Sequence, residues 1–97
     1  MSPGKRINNK LVTVTVRLSG WLGSYFPANE TNLVTYQKLD EALPDLISKV
    51  MVQSLTAVPK GGLMITINGQ NVKKLDRTHY LLKDHDVVTL IPVVAGG

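Results

Sequence analysis

The 97-residue sequence contains no cysteine, one tryptophan, one phenylalanine and no long hydrophobic run. Without cysteine the chain has no disulfide, no thiol nucleophile and no thiolate metal ligand, which suits a reducing compartment, and we expect the cytoplasm. No apolar stretch approaches the roughly 20 residues of a membrane-spanning helix, so no membrane partner is expected. The net charge of +4 comes from basic residues that are spread along the chain without interleaved aromatics. We therefore expect no nucleic-acid binding.

Residues that carry chemistry elsewhere form no catalytic pattern here. His79 and His85 are six positions apart, and the acidic neighbours of His85 are more typical of a solvated turn than of a metal site. None of the serines lies in a nucleophile motif. The segment Lys60–Gly62 lacks the strand-before, helix-after context of a phosphate-binding loop. We expect no bound cofactor and no metal, and whether the chain counts as an enzyme stays open.

The first half of the chain predicts a hairpin followed by a helix. Leu11–Leu18 alternates apolar and polar residues with period two and is rich in β-branched residues, which indicates a strand. Thr31–Gln37 is a weaker second strand, predicted to pair with the first, after a loop in which aromatic side chains fold back on the core. Leucine, isoleucine and valine then recur at three- and four-residue spacing between Leu43 and Leu55, which predicts an amphipathic helix. Because proline is acceptable only in a first turn, Pro44 predicts that this helix begins near Leu43.

The second half predicts three more strands. Leu63–Asn68 is apolar, Asn68-Gly69 is a strong signal for a tight turn, and a short strand is expected around Asn71 to Lys73. Val87–Ile91 is almost wholly apolar and should lie centrally, parallel to the first strand. These elements predict an α+β, ubiquitin-like β-grasp fold: a mixed sheet of four to five strands on one main helix. The expected organisation is a flexible arm (1–10), one domain (11–92) and a flexible tail (93–97).

The last residues are unusual physically. A buried strand leads directly into Pro92, two valines, Ala95, Gly96 and Gly97, so side chains shrink toward the terminus. Glycine is favoured where backbone threads a narrow space, although small residues are also tolerated at any frayed chain end. The whole segment Leu82–Gly97 closely resembles the end of the molybdopterin synthase small subunits and related bacterial and archaeal sulfur carriers. In that family a leucine, an acidic turn, an alternating strand, proline and valine precede a terminal Gly-Gly.

This resemblance covers about four-fifths of the chain, and it also includes the first strand and the Ile67–Gly69 turn. The sequence departs from the family pattern in three places. His85 occupies a position where glycine is usual, one proline stands where two are common, and the loop around Trp21 to Tyr36 is longer.

The resemblance implies a carrier that presents its C-terminus to partner enzymes. A ubiquitin-activating-type enzyme would use ATP to adenylate Gly97, and a sulfur donor would convert the adenylate to a thiocarboxylate. The large subunit of molybdopterin synthase, or another sulfur-accepting enzyme, would then receive the sulfur. Gly96 would allow the tail to thread into these active sites.

The family docks its partners through apolar residues near the tail, and the matching positions here are Leu75, Ile91, Pro92 and Val94. Strand alternation places Ile91 on the outer sheet face if Val88 and Leu90 face the helix. Ile91 is then either an exposed anchor or a residue covered by the loop that contains Leu75.

Three alternatives to a molybdopterin-synthase subunit stay open. Two use the same activation step, namely conjugation through Gly97 to lysines of target proteins and sulfur transfer for thiamine or another thio-metabolite. The third, from a different class, is a non-catalytic β-grasp interaction module.

Overall fold

The computed structural model of the chain describes residues 10–93. Five strands and one helix follow in the order β1 (Leu11–Leu18), β2 (Glu30–Tyr36), α1 (Leu39–Ser54), β3 (Leu63–Ile67), β4 (Gln70–Asn71) and β5 (Val87–Pro92). Short 3-10 segments cover Gly20–Tyr25, Pro27–Asn29 and Val72–Lys74. None of the helices in this described part is long and apolar enough to cross a bilayer.

The strands form one mixed sheet in the order β2-β1-β5-β3-β4. β1 pairs with β2 as an antiparallel hairpin and with β5 in parallel, and β3 is antiparallel to both β5 and β4. This confirms the predicted β-grasp architecture, with the first and last strands as central neighbours. Asn68 and Gly69 have φ of 49° and 89°, as the predicted tight turn between β3 and β4 requires.

The core lies between the sheet and α1. Its sheet side comes from alternate residues of the central strands and its helix side from one stripe of α1. The fully buried members include Val14, Val16, Leu39, Leu46, Val50, Val88 and Leu90. The alternation in β1 and β5 is therefore used as the sequence predicts, with one apolar face against the helix.

The predicted helix start was wrong. α1 begins at Leu39, one turn before Leu43, and Pro44 lies inside it. Leu39 and Ala42 are completely buried, and the carbonyl of Lys38 accepts hydrogen bonds from the amides of Glu41 and Ala42. The free energy gained by burial of this first turn exceeds the cost of the one hydrogen bond that proline cannot donate.

Two strand bounds also differ from the prediction. The short strand is Gln70–Asn71, and Val72–Lys74 is a 3-10 turn because the Asn71 side chain accepts a hydrogen bond from the Lys73 amide. β2 runs from Glu30 to Tyr36, one residue before the predicted strand. In the loop before it Leu22 is completely buried, whereas Trp21 and Tyr25 stand half exposed in an edge-to-face pair.

Candidate functional site

The strand that leads to the C-terminal tail, β5, is the middle strand of the sheet and ends at Pro92. In the antiparallel β3–β5 ladder, the amide of Val93 donates to the carbonyl of Gly62 at 3.0 Å. By the alternation of such a ladder, Pro92 directs its nitrogen toward β1, where it has no proton to donate. Pairing with β1 therefore ends while β3 still holds Val93. At this point β5 lies between two strands, β1 and β3, rather than at a sheet edge.

Glycine backbone borders this exit. Gly20 has φ of 62°, in the left-handed region, and a Cβ built on it would lie 3.5 Å from Pro92 Cγ. Gly62 has φ of 84°, and no atom of residues 10–93 lies within 4 Å of the position that a Cβ would take. The base of the tail is thus flanked by bare backbone on both sides, which leaves room for a partner to approach Pro92 and Val93 closely.

An apolar pair lies on the outer sheet face beside the exit. Ile91 is directly opposite Met64 of β3, and both point away from the helix. Met64 is 40% exposed and Ile91 is half-buried. Neighbouring positions of that face are Thr66, Thr89 and Arg17, which is exposed and 3.6 Å from Glu30. The outer face therefore offers a small apolar centre with a polar rim, the composition of a docking surface.

The predicted docking residues are only partly brought together. Ile91 and Pro92 lie at the tail base as the sequence places them, while Leu75 is half-buried and packs against the helix-side core. Sequence reasoning missed Met64, which occupies the position opposite Ile91. The sequence contains a signal for Met64, because it lies between Leu63 and Ile65 in a strand and therefore faces the opposite side of the sheet from them. The pairing of that strand with β5 could have been predicted from the fold. Val94, Gly96 and Gly97 lie outside the described residues.

The side chains of Asp84 and Asp86, on either side of His85, accept hydrogen bonds from backbone amides. The side chain of Asp84 accepts a hydrogen bond from the Thr13 amide at 2.8 Å. Buried Asp86 accepts one from the Lys83 amide at 2.8 Å and one from the Asn68 side chain at 3.0 Å. His85 itself has φ of 75°, a left-handed conformation that favours glycine. This explains physically why glycine is the usual residue at that position in the family it resembles.

His79 belongs to an exposed turn. Its Nδ1 is 2.8 Å from a carboxylate oxygen of Asp76, and the hydroxyl of Thr78 donates to the other oxygen at 2.7 Å. These hydrogen bonds, that of Thr78 first, lower the pKa of Asp76 below its usual 3.8. Within residues 10–93 no group of three or more histidine, aspartate or glutamate side chains is arranged to hold a metal ion.

Comparison with known proteins places this geometry in a family. The ThiS family matches residues 24–97, while a comparison with curated proteins found no match. The chain resembles the small archaeal modifier protein 1 of Methanosarcina acetivorans, with 27% identity and a TM-score of 0.65. That alignment covers 91% of this chain and 99% of that one.

A protein of Pyrococcus furiosus, provisionally named molybdopterin converting factor subunit 1, has 23% identity and a TM-score of 0.60. The alignment covers 86% of this chain and 99% of that one, and at this identity it supports the fold alone. The family match spans more than two-thirds of the chain and continues to its last residue. The chain belongs to the ThiS family of ubiquitin-like sulfur carriers.

Proposed function

We propose that this protein is a sulfur carrier whose Gly97 is adenylated and then converted to a thiocarboxylate. The observation that carries the proposal is the exit of the chain from the central strand β5, at Pro92, beside the apolar Met64–Ile91 pair. Four residues follow Val93, and an extended segment of that length spans at most about 13–14 Å. A partner that holds Gly97 in its active site must therefore have its surface close to this face.

The chemistry needs little from the carrier itself. A carboxylate is a poor electrophile, and transfer of AMP from ATP to the Gly97 carboxylate releases pyrophosphate and creates a good leaving group. Attack by a sulfur nucleophile on the acyl carbon then expels AMP, and later release of its sulfur to an acceptor returns the carboxylate. The partner supplies the catalytic groups. The carrier contributes recognition through its folded domain and access through its narrow tail.

Within this function we propose sulfur delivery to molybdopterin synthase, for molybdenum or tungsten cofactor synthesis. The support is the resemblance of Leu82–Gly97 to the small subunits of that enzyme. Sulfur transfer for thiamine or another thio-metabolite uses the same tail and is the alternative acceptor. Adding purified large subunit and the sulfur-free pterin precursor to the thiocarboxylated protein distinguishes them, since only the proposed acceptor consumes the thioacid.

A second candidate function is conjugation of Gly97 to lysines of other proteins. The 27% identity to the small archaeal modifier protein 1 over 91% of this chain favours it. Conjugation also begins with adenylation of Gly97 but ends in an isopeptide bond. Digestion of cell extracts would then yield lysines that carry a C-terminal fragment of this chain.

Intact mass spectrometry tests the activation step. The protein is incubated with the activating enzyme of its host, ATP and a sulfide source, and replacement of one oxygen by sulfur adds about 16 Da. A variant that lacks Gly97 is the matched control, and it should keep its fold and stay unmodified. If the full chain gains no mass and supports no ATP–pyrophosphate exchange, the protein is an interaction module and not a carrier.

A further inference from the structure

The segment between β1 and β2 (residues 19–29) encloses a polar recess on the outer sheet face. The recess is lined by Arg17 and Thr89, which are paired across β1 and β5, and by Ser19, Gly20 and Asn29 of the segment. Its volume of about 360 Å³ is at the small end of the range for ligand-binding sites. A side chain of another protein therefore fits into it.

The wall of the recess that contains Asn29 is packed closely on the end of β1. A Cβ at Gly23 would lie 2.7 Å from the carbonyl oxygen of Leu18 and 2.9 Å from the side-chain oxygen of Asn29. Gly23 is buried, and its neighbour Leu22 is completely buried in the core. Because this close approach requires glycine, the wall is formed before any partner binds.

Four polar side chains of the recess offer hydrogen-bond donors: Arg17, Ser19, Asn29 and Thr89. None of them forms a side-chain hydrogen bond with another residue in the described part of the chain. The Arg17 Nε is 3.6 Å from the Glu30 carboxylate, which is longer than a hydrogen bond, and both side chains are exposed. Such a pair contributes little, so Arg17 can exchange Glu30 for another carboxylate.

The donors of the recess suit a carboxylate. Among the described residues that line it, Arg17 is the one charged residue, so the lining is positive. The planar guanidinium can bind both oxygens of a carboxylate at once, and neighbouring hydroxyl and amide groups can donate to them as well.

The recess is continuous with the Met64–Ile91 pair and with the base of the tail. Ile91 is the next outward residue of β5 after Thr89, about 7 Å along the strand. A Cβ built on Gly20 of the recess would lie 3.5 Å from Pro92 Cγ. A stable interface covers about 800 Å² on each partner, which is far wider than this separation. A partner that covers the pair and takes the tail therefore covers the recess too.

We propose that the recess receives an aspartate or glutamate side chain of the activating enzyme, whose carboxylate Arg17 binds. The inference rests on the proposed carrier function, because that function requires a partner over this face. In the free protein Glu30 competes for Arg17. An enzyme without an acidic side chain at this place would cover the guanidinium and supply no carboxylate, so the recess discriminates between activating enzymes as well as binding one.

ATP–pyrophosphate exchange by the activating enzyme of the host tests the proposal, with the full chain as the varied substrate. Arg17→Glu should raise KM about tenfold or more, because it opposes one carboxylate with another. Arg17→Lys keeps the charge but not the two-pronged contact, and should raise KM about threefold. Glu30→Gln removes the competitor and should lower KM about twofold. In all three variants kcat should stay nearly constant, since the contact is remote from the reacting carboxylate.

Arg77→Glu is the matched control. Arg77 forms a similar exposed pair, 3.8 Å from Asp40 of α1, away from the recess, so this variant should keep the KM of the unsubstituted chain. Added NaCl should raise KM more steeply for the unsubstituted chain than for Arg17→Gln, because salt screens a contact between charges. A change in the structure of the loop would not produce that difference.

Two results overturn the proposal alone. One is exchange in which Arg17→Glu and Arg77→Glu have the same KM. The other is a KM for Glu30→Gln that rises as much as that for Arg17→Glu, since the pair would then matter only for the structure of the loop. Absence of exchange with the unsubstituted chain is a different result, because it overturns the carrier function and this inference with it.

Discussion

Asn68 joins the β3–β4 turn to the start of β5. Its side-chain oxygen accepts from the Val87 amide at 2.8 Å, its nitrogen donates to Asp86, and its own amide donates to the Val87 carbonyl at 2.7 Å. Asp86 is only 7% exposed and holds the Lys83 amide as well. Asn68 and Asp86 thus accept hydrogen bonds from the backbone amides of this turn, at the point where β5 begins.

Removal of the Asp86 carboxylate should destabilise the fold. Asp86→Ala leaves the Lys83 amide and the Asn68 side-chain nitrogen without their acceptor, and we expect a loss of about 2–3 kcal/mol in the free energy of unfolding. Urea unfolding measures it. Asp84→Ala is the control, since Asp84 is exposed and accepts a single bond from Thr13, so its loss should be about 1 kcal/mol. Equal losses would contradict this account.

Replacement of His85 by glycine should stabilise the fold. With φ of 75° its Cβ is strained, and relief of about 1–2 kcal/mol is partly offset by the extra chain entropy of glycine. We expect His85→Gly to raise the free energy of unfolding by about 0.5–1 kcal/mol. His85→Ala keeps the Cβ and should give no gain. A gain of the same size in both variants would mean that the imidazole, and not backbone strain, is responsible.

Asp76 should titrate below pH 3.8 in the folded protein. The Thr78 hydroxyl and then His79 stabilise its charged form, so its pKa is lowered. A lowered folded pKa gives stability that is present above the unfolded pKa and is lost as the pH falls through the folded one. NMR titration of the Asp76 carboxyl measures the shift. Thr78→Val should move the pKa back toward 3.8, and an unchanged pKa in that variant would assign the shift elsewhere.

At the scale of elements, the strands were predictable and the helix start was not. Period-two alternation in β1, the almost wholly apolar run of β5 and the Asn68-Gly69 turn are local signals, and each predicts the element that the structure contains. Leu39 fits the apolar stripe four residues before Leu43, but the preference of proline for the first turn predicts a helix start near Leu43. That preference describes an isolated helix, whereas burial of Leu39 under the sheet is a tertiary effect that no short window of sequence contains.

Replacement of Pro44 within α1 should therefore stabilise the protein. Pro44→Ala restores an amide that can donate to the Asp40 carbonyl. The gain should be about 1–2 kcal/mol, smaller than the roughly 3 kcal/mol cost of interior proline, because alanine also frees the unfolded chain. Thermal or urea unfolding measures it. Pro59→Ala in the connector should not stabilise, and a stabilising effect there would point to a general effect of proline.

At the scale of the whole molecule, strand order creates the functional geometry. A parallel β1–β5 pair in the centre with β3 beside β5 puts the chain exit and the Met64–Ile91 pair at one place. The sequence predicts Ile91 from alternation within one strand. Met64 could be found only from the register between two strands. Leu75 packs against the core, and its irregular segment has no periodicity from which to predict the direction of its side chain.

The apolar pair should control recognition by the activating enzyme. Met64→Asp and Ile91→Asp each put a charge in the centre of the proposed contact, and loss of a central apolar residue costs about 2 kcal/mol or more, roughly 30-fold in affinity. Because the pair is remote from the reacting carboxylate, KM for the carrier in ATP–pyrophosphate exchange should rise while kcat stays nearly constant.

Leu55→Asp is the matched control for these two variants. Leu55 is 91% exposed at the C-terminal end of α1, and its φ of 57° tolerates aspartate. This variant makes the same charge change on a surface that is not part of the β3–β5 outer face, so its KM should equal that of the unsubstituted chain. Circular dichroism establishes that all three variants are folded. If Met64→Asp and Ile91→Asp behave like Leu55→Asp, the enzyme recognises another surface, and the position of the pair beside the exit has no role in activation.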